Sequence, residues 1–219
     1  MPFIVTEFRD DGLGHAVEVV VAADRDSSVE YPFFVDVPEG ATALVLAVSN
    51  DESPKGVSGP GPERVTVIVG PPDGVRVNQR MVYSSNGLGA TVVLNPPAGR
   101  WRVMVVCPPR QRAMVNAAAY KPTFFQRLRG FGGRFACRSC TVFLKPLVVA
   151  AIVHLVVAAL PAATVAAATA VLSPVFGGMF AILIPAEFVA KFVEILLGYA
   201  DHPLDHLVTG GCRLIRACA

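Results

Sequence analysis

Charge is what this sequence lacks most. Charged residues make up 16% of the 219-residue chain, against about 25% in an average soluble domain. The shortage is concentrated between Pro146 and Ala186, a run of 41 residues with no Asp, Glu, Lys or Arg. In water such a run must be buried on all sides, whereas in a bilayer it could span. The opening stretch MPFIVTEFRDDGLG has neither a basic n-region nor a continuous apolar h-region, so no secretory signal is expected there. Signatures of catalysis are missing as well. There is no nucleophile elbow, no phosphate-cradling glycine loop, no HExxH and no assignable His/Asp/Ser set. A non-enzymatic protein without a cofactor or metal is expected.

What charge there is divides unevenly. Residues 1–120 hold 10 Lys+Arg and 13 Asp+Glu, whereas residues 121–219 hold 9 and 4. An acidic half is thus joined to a basic, very apolar one. The basic half would suit nucleic acid or anionic lipid, and the apolar run beside it selects lipid, so no nucleic-acid partner is expected.

The acidic half is written in β language. His15–Ala23, Glu30–Val37, Thr42–Ser49, Arg64–Gly70, Gly89–Leu94 and Arg100–Cys107 are rich in β-branched and aromatic residues. Val75–Tyr83 and Ala113–Tyr120 are weaker candidates. Turn chemistry separates them: VPEG at 37–40, PPDG at 71–74, NG at 86–87 and NPPAG at 95–99. Six to eight short strands without a helical period between them predict an all-β sandwich over residues 1–120. On Arg100–Cys107, alternation sends Trp101, Val103, Val105 and Cys107 to the core and Arg100, Arg102, Met104 and Val106 outward. Trp101 reads as a core anchor and Cys107 as a buried free thiol.

Residues 121–136 read as a joint. Lys121, Arg127, Arg129, Arg134 and Arg138 interleave with Phe124, Phe125, Phe131 and Phe135. Rings could enter the headgroup boundary while guanidinium groups meet anionic lipid; a linker helix packed on the sandwich is the competing reading. Beyond it, Cys137-x-x-Cys140 opens a helical segment over 137–219 and Cys212-x5-Cys218 closes it. Four cysteines allow three pairings. Spacings of three and six residues favour, on two facing helices, the nested set Cys137–Cys218 with Cys140–Cys212. Zinc held by these cysteines with His202 or His206, and simple reduced thiols, remain open alternatives.

Inside the apolar run, Thr141–Leu160 predicts a helix with Lys145 and Pro146 at its entrance. Pro161, SerPro at 173–174, GlyGly at 177–178 and Pro185 then cut the run into shorter pieces. Glu187, Lys191 and Glu194 would form one polar stripe on a following helix. This favours a helical bundle whose lining, including Leu147, Ile152, Leu155, Phe176 and Phe180, could open onto lipid. His154 reads as a buried, hydrogen-bonded core histidine, with a pH-sensitive gate on insertion as the alternative.

Two resemblances add to this. The order YPFFVDVPEGATALVLAV (31–48), VTVIVGPPDG (65–74) and NPPAGRWRVMV (95–105) resembles the bacterial pre-peptidase C-terminal domain over roughly residues 28–120. It implies a non-catalytic accessory sandwich. Arg64 and Val65 stand where that family has an aspartate, so no cation-binding role carries over. The CxxC and Cx5C frame, with EFVAKFVEILLGYADHP (187–203) and GCRLIRAC (211–218), resembles the saposin-like family over about residues 135–219. That family's central cysteine pair is absent, and the middle is far more apolar. The resemblance implies nested outer disulfides, lipid contact and, at its furthest, pore formation.

The combined expectation is a two-module protein. An accessory sandwich recognises or positions, and a disulfide-framed or membrane-associated helical bundle buries apolar surface in lipid. The alternative is a structural subunit of a larger, membrane-embedded assembly, with a protein partner or further copies of itself on that surface. Bridged cysteines would place it outside the cell or in another oxidising compartment, associated with a membrane.

Overall fold

A computed structural model describes residues 3–10, 12–24, 26–49, 65–72, 82–83, 88–121, 123, 133–157, 204–214 and 218. Nine strands and two helices are found among them: β1 (Phe3–Asp10), β2 (Gly14–Ala22), β3 (Val29–Val37), β4 (Ala43–Ser49), β5 (Thr66–Gly70), β6 (Val82–Tyr83), β7 (Gly89–Leu94), β8 (Gly99–Cys107), β9 (Arg112–Tyr120), α1 (Gly133–Val157) and α2 (Leu204–Leu214). The strands form two antiparallel sheets, ordered β1-β2-β9-β4-β7-β6 and β3-β8-β5. Seven of the eight expected strands recur with ends shifted by at most two residues, whereas of Val75–Tyr83 only Val82–Tyr83 is a described strand and residues 75–81 lie outside the described residues. β1 was missed because its mixed FIVTEFRD carries three charges in eight residues.

Alternation builds the sandwich core. Val17, Val19 and Val21 of β2, Leu44, Leu46 and Val48 of β4, and Val115 and Ala117 of β9 face Phe33, Val35, Trp101, Val103 and Val105 of the small sheet. Trp101 is fully buried, and its indole N–H donates to Pro97 O at 2.9 Å, so the ring's one polar atom is satisfied. Cys107 is a buried free thiol, as expected. Gly40 closes the VPEG turn at φ 75°, a conformation that favours glycine.

The large sheet is apolar on its second face too, and α1 covers it. Ala16, Ala43, Val45, Ala47, Ala90 and Ala118 form one cluster with Phe143, Leu147, Val148 and Ile152 of the helix and Leu207 and Val208 of α2. Small side chains on the sheet let the helix approach closely. At Gly14 the approach is closest, since a Cβ there would lie 2.9 Å from Phe143 Cε1. The Phe143 ring meets Phe8 and Tyr120 edge-on, at centroid distances of 5.3 and 6.2 Å. The strand-rich and helical parts therefore share one hydrophobic cluster.

Two sequence expectations are corrected here. Pro146 lies inside α1 and does not mark its entrance. A proline costs the helix one backbone hydrogen bond, which burial against the sheet offsets in this case. The helix begins at Gly133, ahead of both its cysteines, because the packed face extends through Cys140 and Phe143.

Gly14→Ala is expected to destabilise the fold by about 1–3 kcal/mol through overpacking. The loss should shrink in a Phe143→Leu background. Urea midpoints of the two single variants and the double variant check this.

Candidate functional site

Three places concentrate chemistry: the disulfide clasp, the seam between α1 and the large sheet, and a histidine cluster at one end of the sandwich. Cys137 and Cys140 lie one turn apart on α1. Cys137 pairs with Cys218 and Cys140 with Cys212, at Cα separations of 4.4 and 5.9 Å. This is the nested set, and it excludes both the zinc and the reduced-thiol readings. Sequence spacing placed Cys212 and Cys218 together on the last helix, but α2 ends at Leu214. Instead the Cys218 backbone N–H donates to Cys212 O at 3.2 Å, which returns the chain beside the first disulfide partner. The bridges close spans of 81 and 72 residues; on the chain-entropy account either one alone stabilises by about 4–5 kcal/mol, and the second, nested inside the first, adds less. Two such bonds point to an oxidising, extracellular-type environment.

The seam carries polar groups in an otherwise apolar interface. Glu18, on the helix-facing side of β2, is 8% exposed. Lys145 of α1 donates to its Oε2 at 2.9 Å and also lies 2.9 Å from Met114 Sδ. Across the β2–β9 ladder from Glu18 stands Asn116, 1% exposed. Neither its Oδ1 nor its Nδ2 has a hydrogen-bond partner among the described residues. Leaving a buried amide unmade costs about 1–3 kcal/mol, so the seam is weaker here than its apolar contacts alone would make it. Sequence reading passed over this group: Glu18 and Asn116 interrupt HAVEVVVAA and AMVNAAAY, and nothing in the spacing says that Lys145, over a hundred residues later, meets one and not the other.

At the end of the sandwich, His15 is 3% exposed and ties the two sheets together. The Asp36 backbone N–H of β3 donates to His15 Nδ1 at 2.8 Å. The ring proton therefore sits on Nε2, which donates to Glu7 Oε1 at 3.0 Å. Arg9 spans the same cluster, 2.8 Å from Asp36 Oδ2 and 3.4 Å from Glu7 Oε1. Burial pushes the imidazole pKa below its ordinary value of 6.5; the Glu7 hydrogen bond opposes this and the Arg9 charge adds to it.

Cys107 is the remaining reactive group. Its thiol donates to Gln111 O at 3.4 Å, and burial raises its pKa, so it is held as an unreactive thiol. Nearby, Ala22, Ala23, Asp24, Arg110, Gln111 and Arg112 line an open depression of about 640 Å³. Cys107 does not open into it, being fully buried. Among the described residues no group of three or more His, Cys, Asp and Glu could hold a metal, and His206 is exposed on α2.

The residues expected to meet lipid separate into two sets. Leu147 and Ile152 are 4% and 2% exposed, inside the cluster between α1 and the sheet. Arg134, Phe135 and Leu155 belong to α1, with side chains outside the described residues. Phe124, Phe125, Arg127, Arg129, Phe131, Phe176 and Phe180 lie outside the described residues, as do His202 and the stripe Glu187, Lys191 and Glu194. No described helix is long and apolar enough to cross a membrane. In comparisons with known proteins, no family model matches the chain and no curated protein does.

Two tests follow from these geometries. Asn116→Leu should leave stability unchanged or raise it by about 1–2 kcal/mol, because it removes an unmade pair of hydrogen-bonding groups; denaturant unfolding reads this. For His15 the folded pKa lies below the unfolded one, so the folded state favours the neutral ring. Its contribution is complete above about pH 6.5 and is lost as pH falls below that value. The melting temperature should drop on acidification from about pH 7 to 5, and the part due to His15 should vanish in His15→Gln.

Proposed function

We propose that this is a non-enzymatic, lipid-interacting protein of an oxidising compartment. Its sandwich recognises or positions, and its helical layer supplies the apolar surface that meets acyl chains. The observation that supports this is where the covalent clasps lie. Both disulfides join α1 to the α2 segment, and neither joins a helix to a sheet. The helical layer is thus cross-linked within itself and, apart from the chain that follows Tyr120, held to the sandwich by non-covalent contacts, across a seam where the Asn116 amide has no hydrogen-bond partner among the described residues. It is built to move as one piece.

Magnitudes decide where such movement could occur. Eight Val, Leu, Ile and Phe side chains of α1 are buried in the shared cluster. At about 1.5–3 kcal/mol each, exposing even half of them to water costs roughly 6–12 kcal/mol, comparable with the whole stability of a domain. Opening in water is excluded on that scale. At a membrane the helix surface exchanges sheet for acyl chain, which removes the helix's share of the cost, and the alanine-lined sheet face would have to be covered in turn. The basic and aromatic joint around Arg127, Arg129 and Phe131 would bring the layer to anionic headgroups. The sequence from Ala158 to Ala186 is likewise free of Asp, Glu, Lys and Arg. The clasp is similar in layout to that of saposin-like proteins, for which lipid contact is the shared property.

Co-sedimentation with phospholipid vesicles, with and without anionic lipid, tests this. Binding should be stronger to anionic vesicles and should persist with the disulfides intact. If the protein stays in the supernatant with both vesicle types, oxidised and reduced alike, the proposal fails.

A further inference from the structure

The outer face of the three-stranded sheet has no layer over it among the described residues. Phe34 and Ile68, two of the three large hydrophobic side chains exposed there or elsewhere in the described structure, lie on it at 42% and 56% exposure. Ladder register arranges the face in rows. The middle row runs Pro32, Met104, Ile68 across β3, β8 and β5, wholly apolar. To one side lies the row Phe34, Arg102, Gly70, and to the other Glu30, Val106, Thr66. Arg100 stacks on Phe34 at 4.2 Å and stands opposite Asp36 at the end of the sheet. Arg102, on the central strand, has no ion-pair partner among the described residues, and neither has Glu30 two rows away.

We propose that this face pairs with the same face of a second copy, about a two-fold axis lying across the strands over the Pro32–Met104–Ile68 row. Such a rotation keeps each strand over its own counterpart and exchanges the two outer rows. The apolar row then packs on itself. Glu30 of one copy comes over Phe34 of the other, one strand spacing from that copy's Arg102, and the same contact recurs on the opposite side of the axis. The Arg102 and Glu30 charges of each copy are thereby matched, twice per dimer. An axis along β8 would set Arg102 on Arg102, and like-charge repulsion disfavours it. β3 and β8 have nine residues and β5 five, so the face measures at most roughly 14 by 30 Å. Pairing would bury at most roughly 800 Å² in all, below the usual range of protein interfaces, so the dimer is weak and concentration-dependent. This contact lies on the opposite side of the sandwich from α1 and is independent of the lipid reading.

Sedimentation equilibrium of the intact, oxidised chain in lipid-free buffer, from about 5 to 500 µM, tests it. A monomer–dimer equilibrium is expected. Ile68→Lys, Arg102→Glu and Glu30→Arg should each weaken it about tenfold or more, while Leu94→Lys, on the other sheet, should not. An equimolar mixture of the Arg102→Glu and Glu30→Arg proteins should regain dimer, because both crossing pairs are again of opposite sign. The substituted positions are exposed, and circular dichroism of each variant confirms that it folds. A wild type that stays monomeric throughout, a dimer indifferent to Ile68→Lys, or a mixture that fails to recover association would each overturn the proposal.

Discussion

A sheet that is apolar on both faces must be covered on both, and the rest of this structure follows from that constraint. The six-stranded sheet spends one face on the three-stranded sheet. Its other face, lined by Ala16, Ala43, Val45, Ala47 and Ala118, would be an exposed hydrophobic patch of the kind monomeric proteins rarely keep. Helix α1 removes it. The alanines set how near the helix can come, Gly14 leaves room for the Phe143 ring, and the ring's edge contacts with Phe8 and Tyr120 fix its place. The arrangement has three layers, and the sandwich proper is its lower two.

The same constraint explains where polar groups are tolerated. Glu18 and Lys145 pair under the helix, while Asn116 beside them has no hydrogen-bond partner among the described residues. A buried ion pair adds little net stability once desolvation is counted, so the seam owes its strength to shape and apolar area. The disulfides reinforce the helical layer internally and leave that seam to non-covalent forces. Between the two sheets, His15 does the opposite work: one neutral imidazole, accepting from β3 and donating to β1, fastens them.

Much of the β part was legible. The closing strand's alternation assigned Trp101, Val103, Val105 and Cys107 to the core residue by residue, and the VPEG turn appears with Gly40 in the conformation it requires. The period-2 rule works there because the small sheet has one wet face. It fails for β2, β4 and β9, whose largely apolar runs, interrupted at Glu18 and Asn116, signal two buried faces. Periodicity cannot say what covers the second one. Charge in FIVTEFRD hid β1, since Glu7 and Arg9 look like solvent residues until a buried histidine is placed beside them.

The sequence alone determined the division into a strand-rich acidic half and an apolar cysteine-bearing half, because composition and period act locally. It also favoured the nested cysteine pairing, because three-residue spacing on a helix puts both thiols on one side. Only the tertiary structure decided that the uncharged stretch from Pro146 starts out as the cover of a sheet. That outcome depends on alanines a hundred residues earlier in the chain, and a long-range fit of small faces to a bulky helix leaves no periodic mark in either segment. The meeting of Lys145 with Glu18, and the return of Cys218 to Cys212, are likewise facts of packing. They join groups that the chain holds far apart or turns away from a regular helix, and so they exist only once the fold does.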